Sequence, residues 1–254
     1  MKSIKYSFGL KMITLCVILL FQTLTYAQSQ PVNQTDAAGK KQGMWKKYNG
    51  PVLISTGTYK DGYPEGEFIY YYDNGLKKAV SVFTEKAQKA ATTTYYRSGI
   101  KMSEGNYVNK LKDGEWKYYT EGNILISVEH YIKGSMEGDW NSHYPNGKVN
   151  LEAHYKNNNK AGVWKSYFPD GMLKSTTTYM NNLPEGKIEY YFPSQKIMIS
   201  GAYSKGLQDG KWLYYDPSGK IIRNEEYNKG LLTFRNGTIP EVNDTIKLPE
   251  PPKY

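Results

Sequence analysis

An aromatic residue returns every 24 residues through most of this chain, and no insertion interrupts the series. Tyrosine holds seven of the eight positions and phenylalanine holds the other: Tyr59, Phe83, Tyr107, Tyr131, Tyr155, Tyr179, Tyr203 and Tyr227. A repeat period of about 20–50 residues indicates a protein built by stacking copies of one small unit. Chains of this class fold through contacts between neighbouring units and usually serve as binding surfaces.

Two more columns with the same spacing define the unit. One column consists of glycines: Gly66, Gly114, Gly138, Gly162, Gly186 and Gly210. Ala90 stands where one glycine of this column is missing, and Gly43 precedes the column one residue out of register. Two residues after the glycine comes a large apolar side chain, and this column holds all five tryptophans: Trp45, Phe68, Trp116, Trp140, Trp164, Ile188 and Trp212. Three columns in one register indicate about eight copies of the unit.

Each unit has the pattern of a β-hairpin, as residues 149–171 illustrate. Apolar residues at 149, 151, 153 and 155 alternate with polar ones, the period of a strand with one buried face. The polar, asparagine-rich segment 156–161 predicts a loop that ends at Gly162. Trp164 and Phe168 then share one face of a second strand. The unit therefore predicts two strands of about six residues joined by a loop.

The predicted fold is all-β: an elongated array of about eight 24-residue β-hairpin repeats that form a single twisted antiparallel sheet. A small residue lies two positions before the column aromatic in four units: Gly57, Gly105, Ala153 and Gly201. We expect each column ring to lie across the glycine of its neighbour, because rings placed over strand glycines replace the missing side chain. The unit around Ala90 lacks both its glycine and its tryptophan, which predicts a weak joint.

The chain divides into four predicted segments. Residues 1–27 are predicted to be a cleaved secretory signal, because three lysines precede the short apolar run 12–21 and small residues precede the cut. Residues 28–40 form a polar lead-in, and residues 41–232 form the repeat array. Residues 233–254 form a Pro-containing C-terminal tail.

Loss of the signal restricts the chemistry of the mature chain. Cys16 leaves with the signal, which excludes disulfides, thiol nucleophiles and cysteine-based zinc sites. Removal of Lys2, Lys5 and Lys11 lowers the formal charge from +9 to +6. The remaining basic residues are dispersed, whereas nucleic-acid binding favours a basic stripe, so no nucleic-acid partner is expected. No stable membrane span is expected after cleavage, because spanning a bilayer takes ~20 apolar residues.

Three segments share a phrase in which glycine is followed by a large apolar residue and an aromatic pair: Lys112–Tyr119, Pro184–Phe192 and Gln208–Tyr215. This phrase resembles the MORN repeat in its bacterial variant, and the resemblance covers about residues 40–230. It implies an elongated array of β-hairpins that serves in protein interaction, dimerisation or lipid contact. Some bacterial members are labelled antitoxin components of toxin–antitoxin pairs.

The sequence predicts no catalytic or metal site and no cofactor, and the chain is not expected to be an enzyme. His130 and His154 share one repeat position, which places them ~10 Å apart and too far apart to share zinc. An acidic residue precedes the column glycine in five units: Glu65, Asp113, Glu137, Glu185 and Asp209. This row either binds cations or a basic partner, or it caps turn amides, and its wide spacing favours capping.

Pairs of adjacent tyrosines are the main functional signal. Adjacent strand residues point to opposite faces, so one ring packs into the array and the other stays exposed, unless coiling of the ribbon buries both. The candidate partner-binding residues are Tyr71, Tyr95, Tyr119, Tyr167, Tyr191 and Tyr215. The predicted repeat core consists of Trp116, Trp140, Trp164, Trp212, Tyr107, Tyr131, Tyr155, Tyr179 and Tyr203.

The predicted function is that of an exported scaffold, periplasmic, on the cell surface or extracellular, that binds another protein or itself through an aromatic-rich face. One alternative is a cell-envelope glycan-binding protein that stacks sugars on exposed tyrosine and tryptophan. Another is an antitoxin- or immunity-type partner that covers a toxin. Envelope lipid is a further candidate ligand.

Overall fold

The computed structural model describes residues 31–237. Within this range the chain forms nineteen strands and no helix, and the strands pair antiparallel in one open sheet that follows the order of the chain. The predicted all-β fold is confirmed. The predicted signal, residues 1–27, and the part of the predicted tail from residue 238 onward lie outside the described residues. None of the described residues belongs to a helix with the length and hydrophobicity needed to cross a bilayer.

The N-terminal half of the sheet contains ten strands. They are β1 (Gln34–Thr35), β2 (Lys41–Asn49), β3 (Val52–Lys60), β4 (Tyr63–Tyr71), β5 (Lys77–Thr84), β6 (Lys89–Tyr95), β7 (Lys101–Val108), β8 (Leu111–Tyr119), β9 (Leu125–Ile132) and β10 (Ser135–Met136).

The C-terminal half contains nine strands. They are β11 (Gly138–His143), β12 (Val149–Lys156), β13 (Asn159–Tyr167), β14 (Leu173–Met180), β15 (Leu183–Tyr191), β16 (Ile197–Ser204), β17 (Leu207–Tyr215), β18 (Ile221–Asn228) and β19 (Leu231–Gly237). Strands β10 and β11 form one strand position interrupted at Glu137, since both pair with β9.

The hairpin turns are shorter than the sequence predicts. β12 ends at Lys156 and β13 begins at Asn159, so only Asn157 and Asn158 lie between strands. Both have positive φ, 50° and 64°. A two-residue turn of this kind has the backbone twist that antiparallel strands need, and asparagine tolerates it. The prediction of a loop over 156–161 is therefore wrong, and the strands are mostly eight or nine residues long.

The column glycines lie inside strands, at β-bulges, and do not end loops. Gly162 has a φ of 65° within β13, and the register between β12 and β13 shifts between Glu152 and His154. Gly210 has a φ of 69°, a backbone conformation that favours glycine. Nothing lies within 4 Å of a Cβ built on Gly210, so side-chain crowding is not the reason for glycine there. The same register shift occurs between β16 and β17.

The tryptophan and tyrosine columns share one face of the sheet, here called the tryptophan face. Gly162 pairs with Tyr179 and Trp164 pairs with Thr177, so these side chains project to the same side. Trp116, Trp164 and Trp212 are only 2%, 5% and 3% exposed. A single-layer sheet thus buries its large rings within its own face, between the rings of adjacent strands.

The rings that cover glycines come from the tryptophan column, and not from the tyrosine column as the sequence analysis expects. A Cβ on Gly105 would lie 2.3 Å from the ring of Trp116, and Gly201 has the same relation to Trp212. The indole N–H then donates to a carbonyl beside the bulge, from Trp116 to Asn106 O at 3.0 Å. Bulge, glycine and indole therefore form one packing device, repeated along the sheet.

The two ends of the sheet differ. At the N-terminal edge, β1 pairs with β2, and the Asn33 side chain accepts a hydrogen bond from Lys46 N at 2.8 Å and donates one to Lys46 O. At the C-terminal edge, β19 extends to Gly237, beyond residue 232 where the sequence analysis ends the array. All residues of β19 are exposed, and Leu231 reaches 70%.

Candidate functional site

The candidate partner-binding tyrosines lie on the face opposite the tryptophans, here called the tyrosine row: Tyr71, Tyr95, Tyr119, Tyr167, Tyr191 and Tyr215. All six are half-buried. Hydroxyl groups of three of them donate to carboxylates on the same face: Tyr119 to Glu104 at 2.6 Å, Tyr167 to Glu152 at 2.8 Å and Tyr191 to Glu189 at 2.8 Å. Carboxylates therefore hold these rings in fixed orientations.

The electrostatics of the tyrosine row follow from these contacts. The hydrogen bonds from Tyr119 and then Lys101 lower the pKa of Glu104. Burial and the Glu152 carboxylate together raise the pKa of Tyr167 to about 12. Lys101 Nζ lies 4.4 Å from the centre of the Tyr119 ring. At neutral pH the row thus presents neutral phenols beside ionised carboxylates and lysines.

The first tyrosine of each pair packs on the tryptophan face. Tyr190 and Tyr214 pack against the buried cluster of Ile188, Ile199 and Trp212. Burial raises the pKa of Tyr190 to about 12. The two rings of a pair therefore project to opposite faces, as strand alternation requires.

The predicted repeat-core residues all lie on the tryptophan face, with unequal burial. Trp116, Trp164, Trp212 and Tyr155 are buried. The others are half-buried: Trp140, Tyr107, Tyr131, Tyr179 and Tyr203. Trp140 differs from Trp116, Trp164 and Trp212 because the residue two before Tyr131 is Glu129, and an indole cannot pack over glutamate as closely as over glycine or alanine.

Three lysines of the tryptophan face are functional candidates that the sequence analysis does not identify. Lys41, Lys112 and Lys160 each lie four residues before a column tryptophan, and each ammonium group sits over that ring at 4.3, 4.8 and 4.5 Å. Burial lowers the pKa of Lys112 and of Lys160. The spacing from lysine to tryptophan is the sequence signal for this cation–π contact.

Four of the five residues of the acidic column cap turns, as the sequence analysis favours, and the fifth, Glu65, lies 3.9 Å from Lys60. Asp113, Glu137, Glu185 and Asp209 accept hydrogen bonds from backbone amides at Lys133, Asn157, Lys205 and Lys229. Each amide lies 20 residues later, in the turn of the following hairpin. These carboxylates therefore link successive units, a role that a single unit read alone does not predict.

The histidines are distributed over the strands. His154 Nδ1 lies 2.9 Å from Asp139 Oδ1, and His130 Nδ1 lies 2.9 Å from Asp139 O. His143 occupies the tyrosine-row position of its unit, 24 residues after Tyr119. Among the described residues, no group of three or more histidine, cysteine, aspartate or glutamate side chains is arranged to hold a metal ion.

Hydrogen bonds from tyrosine hydroxyl groups form a second link between units, and the sequence analysis does not predict it. The hydroxyl groups of Tyr72, Tyr96 and Tyr144 donate to carbonyls 23 residues later, at Tyr95, Tyr119 and Tyr167, over 2.7–2.8 Å. These aromatics directly follow the tyrosine-row position. A tyrosine immediately after that position is the signal that marks them.

A family model described as MORN repeat variant matches residues 136–157, 160–181 and 208–229. Three segments of the chain therefore match the MORN repeat variant. The family predicted from the sequence is confirmed at these three repeats. Each MORN repeat segment contains one tryptophan strand, the turn after it and the following tyrosine strand.

No curated protein matches this chain. Among solved structures, it is similar to TarM, with 10% identity and a TM-score of 0.28, over 61% of this chain and 32% of TarM. It is also similar to a porin-like protein from Bacteroides uniformis ATCC 8492, with 9% identity and a TM-score of 0.18, over 71% of this chain and 88% of that one. The chain thus spans about a third of the length of TarM. Neither likeness supports a conclusion about this protein.

Proposed function

We propose that this MORN repeat array is an exported, non-catalytic scaffold that binds another protein, or a second copy of itself, through the tyrosine row. The observation that carries the proposal is the repetition of a half-buried ring on one open face, with three hydroxyl groups fixed by carboxylates. Successive rings lie two strands apart, or ~10 Å, a spacing suited to an extended partner.

Fixed tyrosines are favourable contact residues for physical reasons. Tyrosine offers a large amphipathic surface with only two side-chain torsions, and it is enriched at the energetic centres of interfaces. A ring already held by a carboxylate loses little conformational freedom when a partner covers it. The neighbouring pairs Lys117–Glu115 at 2.8 Å and Lys187–Glu189 at 2.7 Å surround the rings with a polar rim.

Tyr70 and Tyr71 provide a matched test of the face. They are adjacent tyrosines on opposite faces, and Tyr70 is 36% exposed on the tryptophan face. The photo-crosslinker p-benzoylphenylalanine would be placed at either position in the chain and irradiated in envelope extract from the protein's own source. We expect position 71 to give an adduct with a protein that position 70 does not capture.

The partner recovered in this way would then be purified and titrated. The triple variant Tyr119→Ala, Tyr167→Ala, Tyr191→Ala should bind it about 30-fold more weakly or worse, because interface tyrosines often contribute 2 kcal/mol or more. A circular dichroism spectrum equal to that of the wild type is the control for folding. Adducts formed only from position 70, or unchanged affinity of the triple variant, would contradict the proposal. If the protein still binds material from an extract that was treated with protease beforehand, the result would indicate the glycan or lipid alternative.

A further inference from the structure

One unit departs from the others at the tryptophan column, where Thr92 takes the place of the large apolar side chain. Its hairpin, β5–β6, pairs without the register shift present in the hairpin before it and the hairpin after it. The four-residue loop 85–88 joins the two strands. Ala90, which replaces the bulge glycine, lies in β6 and pairs directly with Phe83. Ala87 and Gln88, whose counterparts Asn159 and Lys160 begin β13, lie in this loop instead.

A cavity of about 290 Å³ opens on the tryptophan face at this position, here called the Thr92 slot. Phe83 and Tyr107 form its walls, and small side chains form its floor. The floor residues Ser81 and Ala90 are only 6% and 7% exposed. The other lining residues stand at the rim: Ala87, Gln88 and Lys110.

The two rings that form the walls of the slot are each packed against a further ring outside the slot. Phe83 packs edge-on against Phe68 with ring centres 5.3 Å apart, and Tyr107 packs against Trp116 at 4.9 Å. On the floor, Ser81 Oγ and Thr92 Oγ1 lie 2.9 Å apart and satisfy each other. The slot therefore cannot close by rotation of one wall without losing an aromatic contact on the far side.

We propose that the Thr92 slot receives one aromatic side chain from another protein. In flanking units the chain fills the same position itself, with Phe68 5.2 Å from Tyr59 and with Trp116 beside Tyr107. The slot is thus a vacant place in a ladder of edge-on rings, and an inserted ring regains the contact with each wall. Lys110 is the one charged residue lining it, which favours a ligand ring next to an acidic residue.

Size and polarity select an aromatic ring over a sugar. A cavity of about 150 Å³ already accepts benzene, so about 290 Å³ has room for an indole. The floor hydroxyl groups are bonded to each other, and the remaining wall surface is aromatic and apolar. A sugar would lose water from its hydroxyl groups on such a surface without regaining hydrogen bonds.

The slot lies on the opposite face from the tyrosine row, so its ligand is separate from the partner in the proposed function. The probe is the capped dipeptide acetyl-Trp-Glu-amide, tested on the full chain by saturation-transfer NMR. We expect transfer to its indole protons and none to acetyl-Ala-Glu-amide or to N,N′-diacetylchitobiose. Lys110→Ala should weaken the binding of the tryptophan peptide by up to about fivefold, the effect of one exposed charge pair.

The decisive experiment fills the slot with an aromatic side chain of the protein itself. Ser81→Gly with Thr92→Trp reproduces the Gly105–Trp116 pair of the unit that follows. It should weaken peptide binding about tenfold or more and raise the urea midpoint. Thr93→Trp, one residue away on the other face, is the control and should leave binding unchanged.

Thr92→Phe is a second filling variant, chosen to match Phe68 of the preceding unit, for use if the double variant does not fold. Binding that persists in a folded, filled variant would overturn the proposal. Absence of transfer to the tryptophan peptide in the wild type, or transfer to the sugar in its place, would overturn it equally.

Discussion

At the scale of single residues, Glu225 is the side chain whose environment is least expected. It is 0% exposed, on the tryptophan face, at a position that is glycine or alanine in four other units. Its carboxylate accepts hydrogen bonds from Tyr214 at 2.8 Å, Tyr227 at 3.1 Å and Arg235 at 2.6 Å, and it also pairs with Arg223. Burial alone raises the pKa of Glu225, but the hydrogen bonds from the arginines and tyrosines outweigh it, so the pKa is lowered.

Glu225→Gln should therefore change how stability depends on pH. A carboxyl with a lowered folded-state pKa stabilises the fold above its unfolded pKa of about 4.3, and that stabilisation is lost as pH falls through the folded value. At pH 7 the variant should lose about 3 kcal/mol, because a neutral amide replaces a fully buried carboxylate that accepts hydrogen bonds from two arginines. Urea unfolding at pH 7 and in steps below pH 4.5 would measure both effects.

The stability difference between wild type and Glu225→Gln should narrow in acid. Glu226→Gln is the matched control, since Glu226 is the next residue, lies on the other face and makes only a 3.8 Å pair with Lys211. A constant difference across the pH range would show that the Glu225 carboxyl keeps its ordinary pKa in the fold.

At the scale of strands, the packing device joins a bulge glycine, a small residue on the neighbouring strand and an indole. Trp164 lies over Ala153, 5.3 Å from the Tyr155 ring and 5.0 Å from the Tyr179 ring, and it donates to His154 O at 3.2 Å. Trp140 has Glu129 at the equivalent place and stays half-buried. The depth of each ring is therefore set by the neighbouring strand.

Trp164→Ala should destabilise the array by about 3 kcal/mol, because it leaves a large cavity between strands β12, β13 and β14. Trp140→Ala should cost clearly less, because its ring is half-exposed before the change. Chemical unfolding followed by tyrosine fluorescence would measure both. Equal losses in the two variants would show that the depth of the ring does not govern stability.

At the scale of the whole molecule, the sheet is held by contacts between successive units. Lys205 N donates to Glu185 Oε2 at 2.6 Å, Gly206 N donates to Pro184 O at 3.0 Å, and Tyr144 Oη donates to Tyr167 O at 2.7 Å. These bonds span 20 to 23 residues, so each unit is linked to its neighbour at both ends of its strands. Stability in such arrays is a sum of units and neighbouring interfaces.

Deletion of residues 160–183, which is one full period, should leave a folded sheet. The urea m-value should fall by about an eighth, because it scales with the surface exposed on unfolding. Deletion of residues 160–171, half a period, is the control and should disrupt folding, since it removes a tryptophan strand and joins two tyrosine strands in sequence. An m-value unchanged by the full-period deletion would contradict nearest-neighbour assembly.

The sequence by itself determined the period, the strand pairs, the opposite faces of the paired tyrosines and the resemblance to the MORN repeat variant, which a family model matches at three repeats. Each of these follows from the alternation of apolar and polar residues and from the 24-residue spacing, both of which can be read directly along the sequence. It also favoured turn capping for the acidic column, because the wide spacing of these carboxylates does not suit shared ligation of a cation.

Only the tertiary structure decided which ring covers which glycine, where the bulges lie, and that Thr92 leaves an open slot. Those features depend on contacts between residues 10 to 24 positions apart, on adjacent strands or adjacent units. Gly162 and the turn at Asn157–Asn158 make the same point, because glycine marks a loop end and a strand bulge equally well in sequence. Pairing with the neighbouring strand, which local propensity does not contain, chooses between them.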